Sequence, residues 1–147
     1  MRISFCKINI TITYPLVALL CMSIIASKKY IGLIALISAV FHELGHIAVM
    51  KYFSDDVIDV RAGLFEFAIK DPLRNISGYK RDVFVICAGP LVNIVLWAIC
   101  FVIYKLTLCS IVYDAAMVNL SLGLFNLLPI ESTDGGQLLK IFLDKSF

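Results

Sequence analysis

Two histidines and a glutamate carry the clearest chemistry in this chain. His42 and His46 lie four residues apart, and Glu43 follows the first of them. On an α-helix this spacing places both imidazoles on one face, where they can bind one Zn²⁺ ion, with Glu43 placed to work beside the metal. The chain contains only 2 histidines, and both lie at this spacing. The motif therefore predicts a zinc site of the kind that zinc proteases use.

The same three residues lie inside a strongly apolar stretch from Tyr30 to Phe53. Its length matches the roughly 20 residues that span the hydrocarbon core of a bilayer. An ionisable side chain at that depth costs at least about 2.5 kcal/mol, so it is seldom found there without a partner or a task. We therefore interpret the motif as a reactive site within a membrane, rather than as incidental polar residues on a helix.

The composition is that of an integral membrane protein. Of the 147 residues, 61% are hydrophobic and 16% are charged, and the mean hydropathy is +0.93. This is more apolar than an ordinary globular domain. The sequence predicts an all-α polytopic membrane protein with about four transmembrane helices, forming a single domain over residues 1–147. The four apolar segments are Ile8 to Ala26, Tyr30 to Phe53, Val83 to Leu108 and Ala115 to Ile130.

The first apolar segment is predicted to be a retained helix, because it lacks a convincing small-residue cleavage site. With four crossings, the amino terminus, the second connection and the tail share one side, which carries ten basic residues against three on the other. The positive-inside rule makes that side cytoplasmic. The net charge of only +2 gives no support to a nucleic-acid partner.

The connection between the second and third segments contains two alternating runs, residues 57–62 and 64–69, on either side of Gly63. Apolar and polar residues alternate in each run, which favours a short β-hairpin between the second and third helices. Such a hairpin could pair with an extended substrate strand. An ordinary interfacial loop fits these few residues equally well.

Two histidines leave a catalytic zinc site one protein ligand short, since such sites usually have three ligands and a water. The best placed candidate is Asp134, which follows the last apolar segment. Pro129 before it disrupts a helix, and the two glycines after it free the backbone, so the carboxylate could turn back towards the metal. The same Asp-Gly-Gly sequence would also serve as a polar turn after a helix.

Three sequence blocks together resemble the site-2 protease family of intramembrane zinc metalloproteases, and most of all its compact bacterial sporulation branch. They are His42-Glu43-Leu44-Gly45-His46, then Ala88-Gly89-Pro90-Leu91-Val92-Asn93, and lastly Asn126-x-x-Pro129 followed by Asp134-Gly135. They occur in the order and on the segments typical of the family, and they span a catalytic core of about residues 30–137.

The resemblance implies that His42, His46 and Asp134 bind one Zn²⁺ ion per chain and that Glu43 is the catalytic base. Asn93 and Asn126 match asparagines of the family and are candidates for binding the substrate strand or the oxyanion. Hydrogen bonding between helices is an equally good account of them. Many relatives carry further helices or regulatory domains that this chain lacks, so a regulatory membrane partner is a further expectation.

The expected function is hydrolysis of peptide bonds within or near transmembrane segments of membrane-bound protein substrates. The expected location is a bacterial cell membrane, with the active site towards the cytoplasmic side. A catalytically silent zinc-binding scaffold is the main alternative, and Glu43, which is not needed as a ligand, argues against it. A zinc transporter is a third interpretation, but transport sites usually lie between repeats, and the sequence shows no repeat.

Overall fold

The computed structural model describes residues 2–5, 8–12, 30–53, 58–62, 67–70, 79–131 and 133–144. Four helices and four strands lie within these ranges. The helices are α1 (Ile31–Phe53), α2 (Tyr79–Thr107), α3 (Ser110–Asn126) and α4 (Asp134–Asp144). The strands are β1 (Arg2–Phe5), β2 (Ile8–Ile12), β3 (Ile58–Ala62) and β4 (Phe67–Lys70).

Helices α1 and α2 are the two described helices that are long and apolar enough to cross a membrane, over Ile31–Phe53 and Lys80–Thr107. Only 33% and 28% of their most apolar windows are buried within the protein. A core helix of a soluble protein would be mostly buried, so the exposed apolar surface of these helices is suited to contact with lipid. The predicted second and third segments correspond to α1 and α2.

Helix α3 replaces the predicted fourth segment and begins earlier, at Ser110, directly after a tight turn from α2. It ends at Asn126, before Pro129. Its 17 residues and the 11 residues of α4 are shorter than a typical spanning helix. Two spanning helices are thus identified among the described residues, where four were expected along the chain.

The prediction of a helix that starts at Ile8 is wrong, because Ile8–Ile12 forms strand β2. The sequence of this stretch explains the error: isoleucines at 8, 10 and 12 alternate with Asn9 and Thr11, which is a strand period, and β-branched residues favour strands. The overall hydropathy of the segment hid this local pattern. The remainder of the predicted segment, residues 13–26, lies outside the described residues.

The strands form one sheet in the order β1-β2-β3-β4. β1 pairs with β2 and β3 with β4 in antiparallel fashion, whereas β2 and β3 are parallel, with Ile10 opposite Val60. The region between α1 and α2 therefore contains two antiparallel strands that belong to a larger sheet. Gly63, the predicted centre of the hairpin, lies outside the described residues.

Helix α2 lies at the centre of the helical bundle, where it packs against α1, α3 and α4. Gly45 allows α1 to approach α2 closely, since a Cβ atom at this position would lie 2.8 Å from Val92 Cγ2 and 2.9 Å from the Ala88 carbonyl oxygen. Small residues at such a crossing let two membrane helices pack backbone against backbone. The buried apolar side chains lie along these contacts and comprise Ile47, Met50, Ile86, Ala88 and Ala116.

Candidate metal centre

Side chains from two helices converge beside α2. His42 and His46 are one turn apart on α1 and both are buried, each with 6% of its surface exposed. Asp134 begins α4, and its Oδ2 atom lies 3.0 Å from His42 Nε2 and 3.4 Å from His46 Nε2. The two Nε2 atoms are 3.1 Å apart. The structure thus brings together the three residues that the sequence predicts as metal ligands.

This triangle of atoms has the size of a zinc site. Tetrahedral zinc with bonds of about 2.0–2.1 Å to nitrogen and oxygen requires its ligand atoms to lie about 3.3–3.4 Å from one another. The three distances here, 3.0, 3.1 and 3.4 Å, differ from that value by a few tenths of an ångström at most. Two histidines and one carboxylate leave the fourth position for water, as in catalytic sites.

The hydrogen bond of His46 fixes which ring nitrogen faces the centre. His46 Nδ1 lies 2.7 Å from the backbone carbonyl oxygen of Val85 on α2. A carbonyl oxygen can only accept, so Nδ1 carries the proton and donates it. In the neutral ring Nε2 then has a free lone pair, which points towards His42 Nε2 and the Asp134 carboxylate. Two imidazole nitrogens and a carboxylate oxygen that converge on one point are a donor set that fits a zinc ion.

Gly89 on α2 leaves room at the centre of this triangle. A Cβ atom at Gly89 would lie 2.6 Å from His46 Cε1 and 2.7 Å from His42 Nε2, and closer still to His46 Nε2. Every other amino acid would therefore occupy space beside the two ligand nitrogens. The absence of a side chain at this position leaves that space free for an ion or a water molecule.

The segment before α4 sets the position of Asp134. Thr133 is buried, and its hydroxyl lies 2.6 Å from the Leu128 carbonyl oxygen and 2.9 Å from the Ile130 carbonyl oxygen. The Gly136 N–H donates to Thr133 Oγ1 at 3.4 Å, so Thr133 caps the first turn of α4. Gly135 and Gly136 press against the backbone of residues 127–131, where a Cβ atom would collide with carbonyl oxygens. Together these contacts hold the start of α4 against the preceding turn.

Glu43 is half-buried, directly after His42 on α1. Its carboxylate interacts electrostatically with both histidines and with Asp134. Glu43 thus lies near His42, His46 and Asp134 without being part of the triangle that they form. A carboxylate in this position can exchange protons with a water molecule at the centre.

The two predicted asparagines lie in different surroundings. Asn93 on α2 is fully buried, and its Nδ2 atom lies 3.1 Å from His42 Nδ1. Asn126, at the end of α3, is half-buried and donates from Nδ2 to the Leu122 carbonyl oxygen at 3.1 Å. Asn93 is therefore in contact with His42, whereas the hydrogen bond of Asn126 lies within its own helix.

Sequence reasoning did not assign roles to three residues that shape this centre: the Val85 carbonyl, Gly89 and Thr133. A backbone carbonyl has no sequence signal. Gly89 lies in a conspicuous Ala-Gly-Pro sequence within an apolar helix, which could have indicated a close approach. Thr133 directly precedes the first residue of α4 and has the residue type of a helix cap, which was detectable.

The chain is similar to one peptidase family model and to two curated proteins. Residues 104–147 match the model of Peptidase family M50. The chain is 26% identical over 152 aligned positions to a zinc metalloprotease of Methanocaldococcus jannaschii, with 96% of this chain covered. It is 32% identical over 115 positions to stage IV sporulation protein FB of Bacillus subtilis, with 75% of this chain covered.

The fold matches that of a solved structure, the site-2 protease from Methanocaldococcus jannaschii. The TM-score is 0.70 at 22% sequence identity, and the match covers 100% of this chain and 73% of the other. The chain spans 43% and 39% of the lengths of the two sequence relatives. The resemblance to the site-2 proteases and to the sporulation branch, stated from three sequence blocks, is thereby confirmed.

Proposed function

From the confirmed resemblance to the site-2 protease family, we infer that this chain is an intramembrane zinc metalloprotease. The observation that carries the proposal is the convergence of His42, His46 and Asp134, with ligand atoms 3.0–3.4 Å apart beside an apolar spanning helix. In this proposal the three residues hold one zinc ion per chain, which, when bound, supplies Lewis-acid chemistry that activates water and polarises a peptide carbonyl.

Glu43 would act as the general base and acid. Its carboxylate takes a proton from the attacking water and delivers it to the amine that leaves when the peptide bond breaks. Because Glu43 is not one of the three converging ligands, it is free to make this transfer. The role of Asn126 would be to bind the substrate strand, through the amide oxygen that its bond to Leu122 does not use.

The proposed substrates are membrane proteins cleaved within or near a transmembrane segment. A helix in the bilayer hides its peptide bonds in hydrogen bonds, so a substrate must unwind locally before attack. Helix-breaking residues near the cleaved bond should therefore favour cleavage. A membrane partner that controls substrate access is also part of the proposal.

We propose that the active site faces the cytoplasmic side of a bacterial cell membrane. With the four crossings expected from the sequence, ten of the thirteen basic residues fall on the side that holds the amino terminus, the connection between α1 and α2, and the tail. The parallel pairing of β2 with β3 supports this arrangement, because it requires residues 8–12 to lie on the same side as the strand that follows α1.

A silent zinc-binding scaffold is the alternative. Such a protein would need the three ligands but would gain nothing from a carboxylate beside them. The position of Glu43 therefore favours the protease, and substitution of this one residue separates the two functions.

The test compares hosts that carry the wild-type chain or Glu43→Gln by quantitative membrane proteomics. Glu43→Gln keeps the shape of the side chain but cannot accept the proton, so we expect membrane-bound precursors to accumulate only in this host. The purified variant should retain zinc, because Glu43 is not one of the proposed ligands. Glu131→Gln is the matched control, since Glu131 is exposed and pairs with Lys140 on the surface.

Accumulation of the same precursors in both variants would point to an effect of altered charge or expression. If neither host accumulates precursors over several growth conditions, although the protein contains zinc, the scaffold becomes the better account.

A further inference from the structure

His42 has a different hydrogen-bond partner from His46, and this difference matters for metal binding. A neutral histidine binds zinc through one ring nitrogen only when its proton is on the other. The carbonyl of Val85 enforces that state for His46. The Nδ1 atom of His42 meets instead the side-chain amide of Asn93, which can either donate or accept.

The orientation of this amide decides the state of His42. With Nδ2 facing Nδ1, at the observed 3.1 Å, the amide donates and the ring proton must lie on Nε2, where it blocks metal binding. With Oδ1 in that place, the amide accepts from Nδ1–H and Nε2 has a free lone pair. An amide has nearly the same shape in both orientations, so a half-turn of the group leaves the packing unchanged.

The surroundings of Asn93 favour a dedicated role. The residue is 0% exposed, and its Oδ1 atom is buried with no hydrogen-bond partner in the described part of the chain. An unsatisfied buried acceptor costs roughly 1–3 kcal/mol. Rotation of the Asn93 amide would give Oδ1 a hydrogen-bond donor, the Nδ1–H of His42. This is the state of His42 in which Nε2 is free to bind a metal.

We propose that Asn93 is a positioning residue, whose Oδ1 accepts a hydrogen bond from His42 Nδ1–H and thereby directs His42 Nε2 to the metal. The inference rests on the proposed function in one respect, which is that the bound ion is zinc. It replaces the expectation that Asn93 binds substrate or the oxyanion. Carbonyl and carboxylate oxygens commonly hold metal-binding histidines in this way.

The packing around Asn93 supports a fixed position. The residue lies one turn after Pro90 in α2, and Gly123 of α3 faces it so closely that a Cβ atom at Gly123 would lie 3.4 Å from Asn93 Cβ. Both Asn93 and Pro90 are fully buried. Asn93 is therefore enclosed between helices, where it can hold the His42 ring but has little access to a substrate.

The first experiment uses the wild-type protein, purified in detergent and labelled with ¹⁵N at histidine. With only 2 histidines in the chain, each ring gives separable signals. In the zinc-loaded protein we expect both rings to carry the proton on Nδ1 and to bind the metal through Nε2. Zinc binding by His42 through Nδ1, or a proton on its Nε2, would overturn the proposal. This measurement does not depend on the folding of a variant.

The second experiment measures zinc affinity by competition with a chelator. Asn93→Leu removes the acceptor at similar volume, and we expect zinc to bind roughly 10- to 100-fold more weakly, as for other residues that hold metal-binding histidines. Asn93→Asp keeps an acceptor oxygen and should restore affinity to near the wild-type value. Asn119→Leu is the matched control, because Asn119 is a buried asparagine whose amide, in the part of the chain that the structure describes, donates to the Ala115 carbonyl within α3.

An unchanged zinc affinity in Asn93→Leu would also overturn the proposal and would return Asn93 to a role towards substrate. The outcomes separate this inference from the proposed function. A zinc-loaded wild-type chain with the expected histidine state but without proteolysis would contradict only the protease activity. A zinc-loaded, proteolytic chain with the other histidine state would contradict only the role of Asn93.

Discussion

At the scale of single residues, the centre depends as much on an absent side chain as on the ligands. His42, His46 and Asp134 supply the ligand atoms of the proposed metal site, and Gly89 leaves the space between them free. A helix can present two histidines on one face at little cost. A second helix can pack against the Nε2 atoms of both histidines only at a residue without a Cβ atom, and Gly89 of α2 is such a residue.

We predict that Gly89→Ala abolishes zinc binding. The added carbon would lie 2.7 Å from His42 Nε2 and would displace the ring. Alanine forms helices better than glycine by about 1 kcal/mol, so α2 itself should not be weakened. Zinc per chain in the purified protein, measured by elemental analysis, should fall to background while the helical content is retained.

The matched control for this variant is Gly123→Ala in α3. Its added carbon would lie 3.4 Å from Asn93 Cβ, Ile94 Cγ1 and the Pro90 carbonyl oxygen, which is ordinary van der Waals contact, and neither histidine is among these nearest neighbours. We expect this protein to contain zinc as the wild type does. Equal zinc content in the two variants would show that Gly89 does not border the metal.

At the scale of the elements, helix α4 fixes the position of the Asp134 carboxylate. It begins at Asp134 and is preceded by a turn in which the Thr133 hydroxyl donates its one hydrogen towards two nearby carbonyl oxygens and accepts from the Gly136 N–H. The helix therefore starts at a defined residue in a defined direction. In the first turn of α4, Asp134 meets His42 and His46 of α1.

We predict that Thr133→Val weakens zinc binding. Valine has the same shape as threonine but cannot cap the helix. The loss of such a cap costs about 1 kcal/mol. If the whole cost falls on the position of Asp134, zinc affinity decreases about fivefold. Thr133→Ser should restore the wild-type value. Chelator competition measures this effect.

The control for the capping prediction is Lys140→Met. Lys140 pairs with Glu131 across the same turn at 3.1 Å, but both side chains are largely exposed. Exposed ion pairs contribute little, so zinc affinity should not change. A loss of affinity in Lys140→Met as large as that in Thr133→Val would mean that the surface pair, and not the cap, holds the turn.

At the scale of the whole molecule, α2 organises the protein. It contacts α1, α3 and α4, and it contributes the carbonyl of Val85, the gap at Gly89 and the amide of Asn93. The short turn from α2 to α3 contains Leu108, which adopts a φ of 54°. Since α2 is long enough to span a bilayer, this turn and the connection between α1 and α2 lie at opposite ends of the helix.

We predict that Cys109 in this turn reacts with a membrane-impermeant thiol reagent applied to intact cells. In the proposed orientation the connection between α1 and α2 lies in the cytoplasm, so the other end of α2 lies outside. Cys109 is exposed, whereas Cys87 and Cys100 are partly buried within α2. Labelling measured by mass spectrometry should be lost in Cys109→Ser.

The matched chain for this test carries Lys140→Cys in the Cys109→Ser background, since Lys140 is exposed on α4. Its new thiol should react only after the membrane is made permeable. The opposite pattern of labelling would reverse the orientation and place the active site outside the cytoplasm.

The sequence alone determined the parts of the protein that depend on local geometry. The spacing of His42 and His46 fixes their common face on any helix, and the apolar length of α1 and α2 fixes elements that can span a bilayer. The position of Asp134 beside the two histidines was predictable, because a catalytic zinc site needs a third ligand and few carboxylates follow the last apolar segment. These conclusions need no knowledge of how the helices pack.

The tertiary structure alone decided the features that join distant parts of the chain. Strand β2 exists because it pairs with β3, 50 residues further along, and segment hydropathy could not reveal that partner. The gap at Gly89 and the contact of Asn93 with His42, 51 residues apart, depend on how α1 and α2 cross. Local sequence patterns specify which residues share a face of a helix or strand. They do not specify which face of another element packs against it, and it is this packing that forms the candidate metal centre.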